Sequence, residues 1–164
     1  MLSDFRKILY VSDLEAGSRP AFRAAVSLCS HYDSKITYLH VIESLSGTAR
    51  SVLSNMMEKQ DMEGMLQEGI AKLRDKVAGR LERFCQQELE DQDKLTPEQV
   101  DVRVEEGTPW KAILRVADEM DADVIVMGTR KHSTLGEIFV GSTAGKTLHH
   151  SKRPILIVPL NDEE

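Results

Sequence analysis

Little in this chain of 164 residues is cysteine, proline or aromatic: two cysteines, five prolines, and 5% Phe, Trp and Tyr together. Two cysteines cannot make a disulfide framework, and no CxxC pair or Cys/His cluster has zinc spacing. The expectation is two reduced core thiols: Cys29 in register with Phe22, Ala25 and Val26, and Cys85 beside Leu81, Phe84 and Leu89. No apolar run approaches the ~20 residues of a membrane-spanning helix. The first residues, Met-Leu-Ser-Asp-Phe-Arg-Lys, lack the apolar core of a signal peptide. Cytoplasmic localisation is expected. Positive charge is not in excess either: the net charge is −6, which argues against general affinity for nucleic acid or anionic membrane. A local basic patch remains at Arg130, Lys131 and His132.

What is present is hydrophobic content of 41% with 29% charged residues, the balance of a folded globule. The whole chain, 1–164, reads as one domain. Residues 5–12 (FRKILYVS) and 34–42 (SKITYLHVI) read as strands, with a helix between them opened by Gly17, Ser18 and Pro20 and running to about Tyr32. Residues 99–105 alternate, with Val100, Val102 and Val104 on one face and Asp101, Arg103 and Glu105 on the other; such a half-exposed strand suits a sheet edge. Thr108-Pro109 starts a helix with Thr as N-cap, Pro at the first helical position, and an apolar stripe of Trp110, Ile113, Leu114 and Ala117. Residues 123–127 and 155–158 are unbroken apolar strands, predicted to be buried on both faces.

The middle differs. Residues 45–60 show weak periodicity. Met62, Leu66, Ile70, Leu73, Val77, Leu81, Phe84 and Leu89 keep helical spacing and predict one long helix, despite Gly64, Gly69 and Gly79. The methionines at 56, 57, 62 and 65 suit a flexible packing surface, and residues 91–97 a polar connection. Strands alternating with helices favour a five-stranded open parallel α/β sheet covered on both faces.

The segment from Gly128 to Ser142 carries the functional signal. A buried strand, a polar loop and a helix start present unpaired backbone N–H groups to an anion. In an open parallel sheet, ligands sit outside the carboxyl ends of the strands, where this loop lies. Gly141-Ser-Thr-Ala-Gly-Lys146-Thr147 is not a phosphate-binding Walker loop, because three residues rather than four separate the glycines. His149-His150 suits the negative end of a helix. No nucleophile elbow or metal-ligand helix is present, so no dedicated catalytic machinery is expected.

Taken together, Lys7-Ile-Leu-Tyr-Val-Ser-Asp13, Tyr38-Leu-His-Val41-Ile, Glu106-Gly-Thr-Pro, Asp121-Ala-Asp-Val-Ile-Val-Met-Gly128, Gly141-Ser142 and Arg153-Pro-Ile-Leu-Ile-Val-Pro159 resemble the universal stress proteins, small α/β nucleotide-binding domains. The resemblance spans nearly the whole chain and implies a Rossmann-like sheet in order 3-2-1-4-5. ATP-binding members carry Gly-x2-Gly-x9-Gly-(Ser/Thr); the matching positions are Gly128, Lys131, Gly141 and Ser142, so lysine replaces the middle glycine. By resemblance, Asp13 and the Val41 backbone lie by an adenine, with Val11 and Ser12 in the same site. Met127 and Gly128 flank the adenosine, residues 129–131, with Arg130 and Lys131 among them, wrap the ribose and phosphates, and Gly141, Ser142 and Thr143 offer N–H and hydroxyl groups to phosphate. Ser142 can also cap its helix. Lys131 either strains the loop and crowds the phosphates or supplies them a charge.

The implied function is a homodimeric stress-response switch or adaptor, paired through Arg153–Pro159, binding ATP (or AMP or ADP, with Mg accompanying ATP) and an unidentified protein partner. The alternatives are a nucleotide-free dimeric scaffold, favoured by Lys131, and a slow ATPase or phosphotransfer protein, favoured by Ser133-Thr134 and Ser142-Thr143.

Overall fold

The computed structural model describes residues 4–88, 95–130 and 140–160. Its strands are β1 (Lys7–Val11), β2 (Lys35–Glu43), β3 (Val100–Gly107), β4 (Val124–Arg130) and β5 (Ile155–Leu160). All pair parallel, in the order β3-β2-β1-β4-β5. The helices are α1 (Arg19–Tyr32), α2 (Gly47–Met56), α3 (Lys59–Glu88), α4 (Pro109–Glu119) and α5 (Ser142–His150). Because strand side chains alternate between faces, the sheet carries two cores. Ile8, Tyr10, Ile36, Tyr38, Val124 and Val126 pack against Phe22, Ala25 and Cys29 of α1 and Val77 and Phe84 of α3. On the other face Leu9, Leu39, Ile125 and Met127 pack against Ile113, Val116 and Ala117 of α4 and Ala144 of α5.

The alternating strand takes the edge position expected of it. Its polar face is covered by ions: Arg103 reaches Glu105 at 2.5 Å and also Glu119, while Arg115 reaches Glu105 at 2.9 Å and Glu119 at 3.0 Å.

Several local expectations are corrected. Residues 47–56 form α2, initiated by the Ser46 hydroxyl accepting the Ala49 N–H at 3.3 Å, although α2 buries no residue. A helix with no buried face leaves no apolar period to read. The buried stripe of α4 is Ala112, Ile113, Val116 and Ala117, with Trp110 and Leu114 at its margins. Trp110 instead stacks on His150, with centroids 4.6 Å apart. β5 is not buried on both faces: as the second edge strand it leaves Leu156 and Pro159 exposed. Both cysteines are free, but only Cys29 is fully buried.

Candidate functional site

The order of strands reverses between β1 and β4, so chain connections leave the sheet in opposite directions there and open a crevice at the carboxyl edge. A cleft of about 470 Å3 occupies that position. The end of β1 supplies Val11, Ser12 and Asp13, and β2 supplies Val41. From β4 come Met127, Gly128 and Arg130; from the start of α5 come Gly141, Ser142 and Thr143. Thus the residues singled out in the sequence converge on one cleft, apart from Lys131, which lies outside the described residues with His132, Ser133 and Thr134. The same cleft contains Thr129, from the 129–131 segment, and also His40, Pro109 and Leu160, which were not singled out. His40 stood inside the quoted Tyr38–Ile42 segment, but only pairing of β1 with β2 brings it to the cleft.

The loop after β1 is held by its own polar side chains. Ser12 Oγ accepts the Leu14 N–H at 3.1 Å, and Asp13 Oδ1 accepts the Glu15 N–H at 2.9 Å. These bonds support Leu14 in the left-handed region, φ 61°, with its side chain buried. His40 Nδ1 lies 2.8 Å from the Ser12 carbonyl. A carbonyl only accepts, so Nδ1 carries the proton.

Arg130 departs from the simple basic patch. Its Nε donates to Asp13 Oδ2 at 3.0 Å, a second guanidinium nitrogen lies 3.3 Å from Asp13 Oδ1, and Glu15 Oε2 lies 3.3 Å from Nε. The parallel pairing of β1 with β4 sets these opposite charges side by side at the strand ends. Burial opposes ionisation of Asp13, but the bonds from Arg130 and the Glu15 N–H outweigh it, so the carboxyl titrates below its ordinary value.

The glycines differ in what requires them. A Cβ at Gly128 would sit 2.4 Å from Leu160 Cδ1 and 2.7 Å from Cγ, so the buried Leu160 side chain occupies that space. A Cβ at Gly141 would meet nothing within 4 Å. Gly141, not Ser142, is the N-cap of α5; Ser142 is the first helical residue. The Gly141 N–H lies 3.4 Å from Thr129 Oγ1. No described residue supplies an acceptor to the N–H groups of Ser142, Thr143 or Ala144. These orphan donors and the positive end of the helix dipole face the cleft side of Gly141, an arrangement suited to an oxyanion. Lys146 lies within α5, which removes it from any phosphate-binding loop. Among the described residues no cluster of His, Cys, Asp or Glu could hold a metal. None of their helices is long and apolar enough to cross a membrane.

The universal stress protein family model matches residues 4–159. This chain belongs to that family. It is 24% identical to the universal stress protein MJ0577 of Methanocaldococcus jannaschii over 157 residues, 94% of both chains. A solved structure of MJ0577 superposes with a TM-score of 0.69 at 21% identity, covering 98% of this chain and 100% of the other. A universal stress protein solved in complex with cAMP superposes with a TM-score of 0.55 at 17% identity, covering 96% and 98%. At these identities the superpositions establish the fold. The Mycobacterium tuberculosis universal stress protein Rv2319c is 31% identical over 65 residues, which is 40% of this chain but 22% of that relative.

Proposed function

We propose that this universal stress protein binds an adenine nucleotide, ATP or a relative, in the cleft between β1 and β4, and acts as a homodimeric cytoplasmic switch or adaptor. The observation that carries the reading is the convergence of Asp13, Met127, Gly128, Gly141, Ser142 and Thr143 on one cleft whose α5 end offers orphan N–H donors. The cAMP complex of a protein with the same fold supports a nucleotide as the ligand class. The adenosine would lie between the ends of β1, β2 and β4, with Asp13 and Val41 on its base. The phosphates would lie toward Gly141, Ser142 and Thr143, with Arg130 and Lys131 available as counter-charges and Mg accompanying a triphosphate. Arg130 would then exchange its contact with Asp13 for phosphate, freeing the Asp13 carboxylate for the base or ribose. The role proposed is binding rather than turnover. Calorimetry should show ATP binding that Gly141→Val weakens several-fold or more, because its side chain fills the open space above α5. Absence of binding at millimolar ATP would remove the reading. Lys131→Gly restores the family's middle glycine; tighter ATP binding by that variant would make the lysine an obstruction rather than a phosphate ligand.

The dimer would form through β5. No described strand pairs with its outer edge, Leu156 is 38% exposed, and Leu148 on neighbouring α5 is 52% exposed. An apolar edge with unpaired backbone groups invites pairing, and a two-fold axis satisfies both copies at once. Pro154 and Pro159 would limit the length of that ladder. Light scattering should find a dimer at tens of micromolar that Ile157→Asp disrupts; a monomeric wild-type protein would contradict this arrangement.

A further inference from the structure

From His40 to Lys76 no residue is buried, although this stretch contains α2 and the first half of α3. Apolar side chains are not missing there. Leu53 and Met57 of α2 and Met62 of α3 are half-buried. Val52 and Met56 stand three to five residues from Leu53 and Met57 or directly beside them, so they widen the same apolar stripe of α2, yet they are 52% and 76% exposed. Met65, three residues from Met62, widens the stripe of α3 and is 60% exposed; Leu45, just before α2, is 51% exposed. The fold therefore covers one margin of each stripe and leaves the other in water. A soluble surface ordinarily scatters such residues singly, whereas four of the seven large hydrophobic residues exposed among the described ones gather in this one segment.

The charge around the stripe has one sign. Residues 51–71 hold four acids, Glu58, Asp61, Glu63 and Glu68, and one base, Lys59. Glu68 is compensated by Lys72, 3.5 Å away on the next turn. No ion pair among the described residues involves Glu58, Asp61 or Glu63, and all three are exposed. Asp61 lies in the first turn of α3 and suits the positive end of that helix. Glu63 lies beyond the first turn and has no such role. None of these apolar or acidic residues lines the cleft.

We infer that the open apolar stripe of α2 and the start of α3 is a docking surface for an amphipathic helix of a partner protein whose polar face carries lysine or arginine. A helix satisfies its own backbone, so it can bury an apolar face here without stranding N–H or C=O groups. Laid along the ten residues of α2 it would cover about 15 Å. Val52 and Met56 would gain the apolar contacts they lack, and methionine, unbranched and polarizable, moulds to such a face. Basic residues at its flank would meet Glu58, Asp61 and Glu63 at the corner between α2 and α3. Pairing this surface with itself about a two-fold axis would instead set acid against acid, which selects a different chain as the occupant. The inference does not depend on nucleotide binding.

Fluorescence anisotropy with the full chain tests it. The probe is a labelled synthetic helix of leucine and lysine, about 14 residues long, with leucine at i, i+3, i+4 and i+7. It should bind saturably, one per chain, at about 100 μM or below. A scrambled peptide of the same composition, and a leucine–glutamate helix of the same pattern, should bind about tenfold more weakly or worse. Val52→Gln with Met56→Gln should cost the leucine–lysine helix about tenfold or more, as should Met65→Gln combined with Met56→Gln. All three positions are exposed, and unchanged circular dichroism checks that the variants fold. Glu58→Gln with Glu63→Gln should weaken binding and flatten its dependence on salt. Absence of saturable binding would overturn the inference. So would equal affinity for the scrambled or acidic peptide, or affinity that both apolar variants leave intact. Light scattering in which the apolar variants dissociate an assembly of wild-type chains would assign the surface to a second copy and overturn it as well.

Discussion

Gly128→Ala should destabilise the protein through Leu160 rather than through a ligand. An added Cβ would come 2.4 Å from Leu160 Cδ1 and 2.7 Å from Cγ. Turning one methyl aside does not relieve the second contact, and Leu160 is 4% exposed, packed in the core with Tyr10 and Phe22. Overpacking of this kind costs about 1–3 kcal/mol. Removing a glycine from the unfolded chain returns about 0.4–1 kcal/mol. The net loss is therefore about 1–2 kcal/mol, or about 2–8 °C in Tm for a chain of this length. A double-mutant cycle isolates the cause. Leu160→Ala alone should cost about 2–5 kcal/mol as a cavity, but in that background Gly128→Ala should be close to neutral, giving a coupling of about 1–3 kcal/mol. Urea unfolding of the four proteins without nucleotide is the assay. A Gly128→Ala protein as stable as wild type, or one whose cost is the same in both backgrounds, would refute the argument.

Gly141→Val should behave oppositely, changing stability by about 1 kcal/mol or less as an N-cap substitution while weakening ATP; a large loss of stability in urea would mean that the site above α5 is not open. Arg130→Ala should weaken ATP more than adenosine, since its charge is assigned to phosphate; equal losses for the two ligands would assign Arg130 to holding Asp13 alone. Burial opposes charge on Glu105, but Arg115 and Arg103 bonds hold its carboxyl below the ordinary value. The ionised form is therefore favoured in the folded state: its contribution is complete above the unfolded value near ~4.3 and is lost as pH falls through the lower folded value. Urea midpoints followed from about pH 6 to about pH 3 should fall less steeply in Glu105→Gln than in wild type; parallel curves would remove Glu105 as a source of acid sensitivity.

Sequence by itself was sufficient for the five strands, the edge position of β3, the Thr108-Pro109 helix start and part of the lining of the cleft. Each of these depends on local chemistry. Alternation in Val100–Glu105 reports one wet face, proline at a first helical position costs no hydrogen bond, and strand ends followed by glycine and serine mark where backbone donors gather. Tertiary structure decided what depends on neighbours distant in sequence. Helix α2 buries nothing, so it left no pattern to read. The apolar run of β5 suggested burial on both faces, yet its exposure was set by the absence of a described strand beyond it. Gly128 and Gly141 look alike in a motif. Only the fold places Leu160 over one and open space beside the other. Arg130 looked like a free basic residue until β1 paired with β4 and set Asp13 beside it. Charge and hydrophobic pattern are properties of a segment; electrostatic pairing and free space are properties of what folds against it.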